Sequence, residues 1–403
     1  MPTSARGDPP IHGFTAPGFE AVREAFRANF VEREETGAAC AVYHRGERVV
    51  DLWGGYRDAE RTAPWEEETI VLVFSITKGL ASTVVAVAHS RGLLEWDAPI
   101  ATYWPEFARN GKEHITVRQL MSHQAGLPVV DEKLDLTALS DPDRMSRILE
   151  RQRPVWKPGT RRGYHPLSIG WYQSQILRRV DPDRRGMADY FREEVAGPLG
   201  IEFHIGLPAD VPEGRVARIV PFDPARVPFS MHKVHPRLAL AFAIPGSLLA
   251  RALRNPRLQG PADLDDPPYR FLDIPAATGF GSARSVARVY SVLADGGSEL
   301  GLLPATLDAM VSPVLPSRRG GRDAVVKLDT AYSTGFAKPS PATPFGSSPR
   351  AFGMAGLGGS FGFADPDARL GYAYVTNKMD LYFFDDPREK TVREACHRCL
   401  QRQ

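Results

Sequence analysis

Two side chains three residues apart carry the most chemistry in this chain. Ser75 and Lys78 stand in the run Val71-Leu72-Val73-Phe74-Ser75-Ile76-Thr77-Lys78-Gly79-Leu80. An apolar stretch ends at the serine and a helical pattern begins. Leu80, Val84, Val85, Val87 and Ala88 are apolar, and Arg91-Gly92 supplies a stop signal. In a helix, residues i and i+3 share a face. A serine and a lysine so placed put a hydroxyl beside an amine, which makes a nucleophile with its own base. The bland reading is that Ser75 only caps the helix, a position that favours serine. The tetrapeptide alone does not decide, because Ser230-Met231-His232-Lys233 repeats it. That copy lies between Pro228 and Pro236 and reads as loop.

The elements around Ser75 set the frame. Residues 1–17 read as an extended arm rich in Pro and Gly. Phe19 to Glu32 has helical periodicity. Ala38 to His44 and Glu47 to Trp53 read as two strands joined at Arg45-Gly46, a hairpin. Ser282 to Leu293 repeats a helical face through Val286, Val289, Tyr290 and Leu293. Ala351 to Met354, Ser360 to Ala364 and Leu370 to Asn377 read as strands, and a last helix starts near Pro387. Between them, about 80 to 280 reads as helical and loop-rich, with 205–275 irregular and proline-rich. The simplest architecture is α+β: one antiparallel sheet with helices, built from residues 18–80 and 280–403, carrying an inserted, mainly helical domain at 81–279. Ser75 falls at the junction, where clefts form.

Composition narrows the class. The chain has 403 residues, 43% hydrophobic and 24% charged, which is ordinary globular composition. A net charge of +2 gives no reason to expect nucleic acid or a membrane as partner. The N-terminus lacks the apolar core of a secretory signal, and no window reaches the length of a membrane span. Three cysteines, Cys40, Cys396 and Cys399, suit a reducing compartment, so a cytoplasmic location is expected. Cys396-His397-Arg398-Cys399 has metal-like spacing but no second pair to complete a ligand set, so no metal or other cofactor is expected.

Four ordered motifs resemble one family. They are Phe74-Ser75-Ile76-Thr77-Lys78-Gly79, the stretch Ile115-Thr116-Val117-Arg118-Gln119-Leu120-Met121-Ser122-His123-Gln124-Ala125-Gly126-Leu127, Trp156-Lys157-Pro158-Gly159-Thr160 followed by Tyr164, and Gly356-Leu357-Gly358-Gly359-Ser360. Together they are similar to the serine β-lactamase and penicillin-binding-protein superfamily, on the side of class C enzymes, family VIII carboxylesterases and related acyltransferases. The resemblance implies an antiparallel sheet flanked by helices plus a helical domain. It implies Ser75 as acyl-accepting nucleophile and Lys78 as its base, an amine whose pKa falls in a desolvated site or beside a second cation. Tyr164 would share proton transfer with Ser75 and the leaving group. The backbone N–H groups of Ser75 and Leu357 would form the oxyanion hole, and Gly356, Gly358 and Gly359 would allow close backbone approach there.

Two departures from the family pattern shape the expected substrate. Tyr164-His165-Pro166 replaces the family's frequent Tyr-x-Asn, so an amide contact is lost. Met354-Ala355-Gly356 replaces Lys-Thr-Gly or His-x-Gly, so no cation meets a substrate carboxylate. Trp156, His165, Met354, Gly356 and Gly358 are expected to line the substrate side. His123 reads as a hydrogen-bonder supporting the Ser75 helix. His165 and His123 are the alternative bases, but a conventional Ser-His-Asp triad has no Gly-x-Ser-x-Gly elbow to start from. The expected activity is that of a serine hydrolase or acyltransferase. Its substrate would be a small-molecule ester, thioester or activated amide, with water, an alcohol or an amine as acceptor, in a role such as secondary-metabolite tailoring. A β-lactamase or D,D-peptidase and a non-catalytic scaffold are the rivals.

Overall fold

Alternation along the strands decides the large sheet. In β2 (Gly37–His44), Ala38, Cys40 and Val42 pack into one apolar cluster, while Ala39 and Ala41 pack into another on the opposite face. The last strand, β10 (Leu370–Thr376), does the same: Leu370, Tyr372 and Tyr374 face the first cluster, and Ala373 and Val375 the second. This two-residue period is what a strand buried on both faces requires. The computed structural model describes residues 10–316 and 322–402.

Six strands form the sheet in the order β1-β3-β2-β10-β9-β8, antiparallel throughout. They are β1 (Ile11–Thr15), β2, β3 (Glu47–Gly55), β8 (Phe352–Ala355), β9 (Phe361–Asp365) and β10. The two ends of the chain therefore meet in the middle of the sheet, at the β2–β10 pair. Helices Glu20–Glu32 and Pro387–Leu400 cover one face, supplying Val22, Phe26, Val392 and Cys396 to the core. Helix Ala283–Ala294 covers the other, lying against β10, β2 and β9. It comes so close that a Cβ on Gly371 would meet the Ser291 nitrogen at 2.3 Å. The α+β fold and the strand and helix positions read from the sequence hold to within a residue or two.

Two readings are corrected. The expected arm contains β1, which pairs with β3 from Ile11↔Gly54 to Thr15↔Val50; residues 1–9 of it lie outside the described residues. A second sheet, β5-β7-β4-β6, joins β4 (Ile70–Leu72), β5 (Phe203–Ile205), β6 (Val216–Ala217) and β7 (Gly279–Gly281). Strands of two or three residues are too short for alternation to register in sequence. Helix Ile76–Ser90 leaves this sheet and is buried on all sides from Ile76 to Ala88, the pattern of a core helix.

Candidate active site

A short strand, a strained turn and a core helix place Ser75. After β4, the Val73 N–H donates to the Gly279 carbonyl of β7 at 2.8 Å. Phe74 then takes a left-handed conformation, φ +47°, uncommon for a residue with a Cβ. Helix Ile76–Ser90 starts at once, with its N-terminal dipole aimed at the turn. Ser75 stands at the cap position, yet its side chain makes no capping hydrogen bond. Its Oγ lies 2.8 Å from Lys78 Nζ instead and accepts a 2.9 Å hydrogen bond from the Tyr164 hydroxyl. The capping role is thus removed by geometry.

The two groups beside Ser75 are driven in opposite directions. Lys78 is 1% exposed, and burial pulls its amine well below the ordinary lysine value. Its Nζ also donates to the Ala276 carbonyl at 2.7 Å. Burial alone accounts for the shift, without the second cation that the sequence reading allowed for. Burial pushes the Tyr164 phenol up, although its bond to Ser75 acts the other way. A buried amine that sheds its proton early beside a phenol that holds its own separates base from acid.

Behind these groups lies a polar support that the sequence did not announce. Asp323 is fully buried, and one carboxylate oxygen accepts from the Tyr164 N–H at 2.8 Å, the Tyr332 hydroxyl at 3.2 Å and the Thr330 hydroxyl at 3.3 Å. The other accepts from the Val325 and Val326 N–H groups at 2.7 and 3.0 Å. Burial raises its pKa against the pull of those donors. Tyr332 stacks nearly parallel to Tyr164 at 6.5 Å and meets His123 edge-on at 4.5 Å. The only sequence cue was an aspartate two residues before two valines, the pattern of an Asx turn.

The histidines are structural in this geometry. His123 Nδ1 accepts from the His165 N–H at 3.1 Å, and burial above all keeps its pKa well below normal. His165 corrects the expectation that it lines the cleft. It is 0% exposed, its Nε2 accepts from the Leu127 N–H at 3.0 Å, and its Nδ1 lies 2.6 Å from the Gly163 carbonyl. Burial pulls its pKa down to about 3, so it stays neutral. Trp156 is half-buried in the apolar cluster that holds Tyr164, edge-on to His165.

The edge strand β8 brings the glycine-rich loop to the turn that carries Ser75. A Cβ on Gly356 would fall 2.4 Å from the Val73 carbonyl, so only glycine lets the two segments approach. Neither the Ser75 nor the Leu357 N–H has an acceptor among the described residues. The Gly358 carbonyl accepts from Arg388 at 2.7 Å, and Arg388 is itself held by buried Glu35 and Asp386. Met354 is 3% exposed and packs beside Gly79, on the turn of helix that carries Lys78.

Other candidates fall away. Ser230 ends a short helix, Val227–Ser230, and is not in the loop expected; Lys233 is tied to Asp380 at 2.8 Å. A Gly-x-Ser-x-Gly string does exist, at Gly358-Gly359-Ser360-Phe361-Gly362, which corrects the reading that there was none. Ser360 is 2% exposed, accepts from the Thr376 N–H, and is followed by β9 where an elbow needs a helix. Cys396 and Cys399 face the core one helical turn apart, and burial raises both thiols.

An antiparallel sheet between helices, with a serine, a buried lysine and a tyrosine converging at the start of a core helix, defines the β-lactamase/transpeptidase-like class. The Beta-lactamase family model matches residues 22–397, and the chain belongs to that family. It is 34% identical to the Esterase/beta-lactamase LipL of Mycobacterium tuberculosis, across 92% of this chain and 83% of that protein. A family VIII carboxylesterase crystal structure superposes with a TM-score of 0.85 and 37% identity, covering 97% of this chain and all of the other. EstA from Arthrobacter nitroguajacolicus Rue61a superposes with 0.82 at 31% identity, covering 96% and 98%. A penicillin-binding-protein homologue from Caulobacter crescentus does so with 0.81 at 33%, covering 97% and 100%.

Proposed function

We propose that this protein hydrolyses or transfers the acyl group of a small-molecule ester, thioester or activated amide through an acyl-Ser75 intermediate. The observation that carries it is the convergence of Lys78 Nζ and the Tyr164 hydroxyl on Ser75 Oγ, at 2.8 and 2.9 Å. Neutral Lys78 takes the Ser75 proton as Oγ attacks the carbonyl carbon. The oxyanion forms against the Ser75 and Leu357 N–H groups at the positive end of the helix. Tyr164 gives its proton to the leaving oxygen, sulfur or nitrogen and recovers one from Lys78. Water, an alcohol or an amine then attacks the acyl carbon as its proton passes to neutral Lys78, directly or through Tyr164, and Lys78 returns that proton to Ser75 Oγ as the acyl bond breaks. Trp156, Met354 and the Gly356–Gly358 loop border the acyl group. Relatives that include an esterase/β-lactamase and a family VIII carboxylesterase support the reaction class. The three cysteines are free and buried, which supports a reducing, cytoplasmic setting.

A fluorophosphonate tests the site. Wild type should gain one adduct mass and Ser75→Ala none; an adduct that persists in Ser75→Ala would move the nucleophile elsewhere, and none in wild type would favour a scaffold.

Met354 predicts the substrate's charge. An apolar side chain there forgoes a charge-assisted hydrogen bond to a substrate carboxylate, worth about 1.5–3 kcal/mol. Benzylpenicillin and nitrocefin should therefore be hydrolysed with kcat/KM at least about 10-fold below a p-nitrophenyl ester. Efficient nitrocefin turnover would make the β-lactamase reading the better one.

A further inference from the structure

Between Asp223 and Asp263 the chain has no acidic residue, yet it carries Arg226, Lys233, Arg237, Arg251, Arg254 and Arg257. The whole chain is only +2, so the remainder is on balance acidic. Arg226, Lys233 and Arg251 are paired with Glu34, Asp380 and Asp131. Arg237, Arg254 and Arg257 are exposed and have no ion pair among the described residues.

The same stretch turns apolar side chains to solvent. Helix Pro236–Ala243 buries Leu238 and Ala241 in the cluster that holds Tyr164. The opposite side leaves Leu240 60% exposed; Phe242, on the flank against Phe383, is 39% exposed, and Ile244 follows at 47%. Phe229 and Met231, just before it, are 82% and 43% exposed. Five of the eleven exposed large apolar side chains among the described residues thus fall within 229–244. Helix Leu248–Leu253 packs against Pro236–Ala243 and ends at Arg254.

We propose that this segment docks the protein on an anionic phospholipid surface. Apolar side chains that stand out of the protein enter the boundary between headgroups and acyl chains, and the unpaired guanidinium groups meet lipid phosphates. A second copy fits the patch poorly, because a two-fold dimer would set the same cationic segment against itself. No helix among the described residues is long and apolar enough to cross a membrane, and lying on a surface needs none. The docking does not depend on the acyl chemistry.

Co-sedimentation of the full chain with vesicles tests it. Binding to phosphatidylcholine vesicles containing about one-third phosphatidylglycerol should exceed binding to pure phosphatidylcholine by at least about tenfold, and fall at about 0.5 M salt. Arg237→Glu with Arg254→Glu and Arg257→Glu should lower that binding at least about tenfold. Leu240→Ser with Ile244→Ser should do the same while melting and ester hydrolysis stay unchanged. No binding to either vesicle, equal binding to both, or variants that bind like wild type would overturn the proposal. So would a dimer in sedimentation velocity that Leu240→Ser with Ile244→Ser dissolves, since the patch would then serve a second copy.

Discussion

Lys78→Met should lower kcat/KM for an ester by about 10²–10⁴-fold, the range of a lost general base, while the protein still folds. The expectation of a standing fold comes from the burial of Lys78. The folded amine binds its proton more weakly than in the unfolded chain, where lysine titrates near about 10.4. Between that value and the lowered folded one, the unfolded state holds more protons, so stability contributed by Lys78 rises with pH. Below the folded value the penalty of a buried cation is complete. Methionine removes the penalty and the slope together, at the cost of leaving the Ala276 carbonyl without its donor. The two effects oppose, so chemical denaturation should show little net change near neutral pH. In wild type, kcat/KM should fall as pH drops through the lowered Lys78 pKa, and that acid limb should vanish in the variant. An unchanged pH profile in Lys78→Met would assign the base to another group.

Asp323→Ala should be the most destabilising single change near the site. It strands three buried N–H groups and two hydroxyls at once. Each buried donor left without its acceptor costs about 1–3 kcal/mol. Asp323→Asn is not a gentle substitute, because its amide would point two donors into a ring of donors. Both variants should unfold at lower denaturant. Where Asp323→Asn remains folded, it should lose kcat more than it raises KM, because the Tyr164 backbone that sets the phenol against Ser75 loses its anchor. A variant with wild-type stability and kcat would leave Asp323 without a supporting role.

Residue chemistry made some of this legible and not the rest. Ser75, Lys78 and Tyr164 were readable because helical spacing and ordered motifs fix them. The large sheet was readable because β2 and β10 alternate cleanly over seven or eight residues. Asp323 was hidden because its meaning lies in contacts with Tyr164 and Tyr332 that the local sequence around it does not encode. His165 was misplaced because adjacency to Tyr164 says nothing about direction: in an irregular segment, the next side chain turned inward to serve Leu127. The short sheet β5-β7-β4-β6 escaped because its strands carry too few residues to show a period.

Arg388 gives the order of synthesis a meaning. It joins Glu35, near the start of the chain, to Asp386 and the Gly358 carbonyl, across a separation of 353 residues. The central β2–β10 pair closes over a similar span. A ribosome must therefore deliver Arg388, long after Ser75, before the loop that faces Ser75 has its clasp. The nascent chain carries Ser75 long before helix Pro387–Leu400 emerges to fix the Leu357 loop, so the two sides of the site come together only once that helix is made.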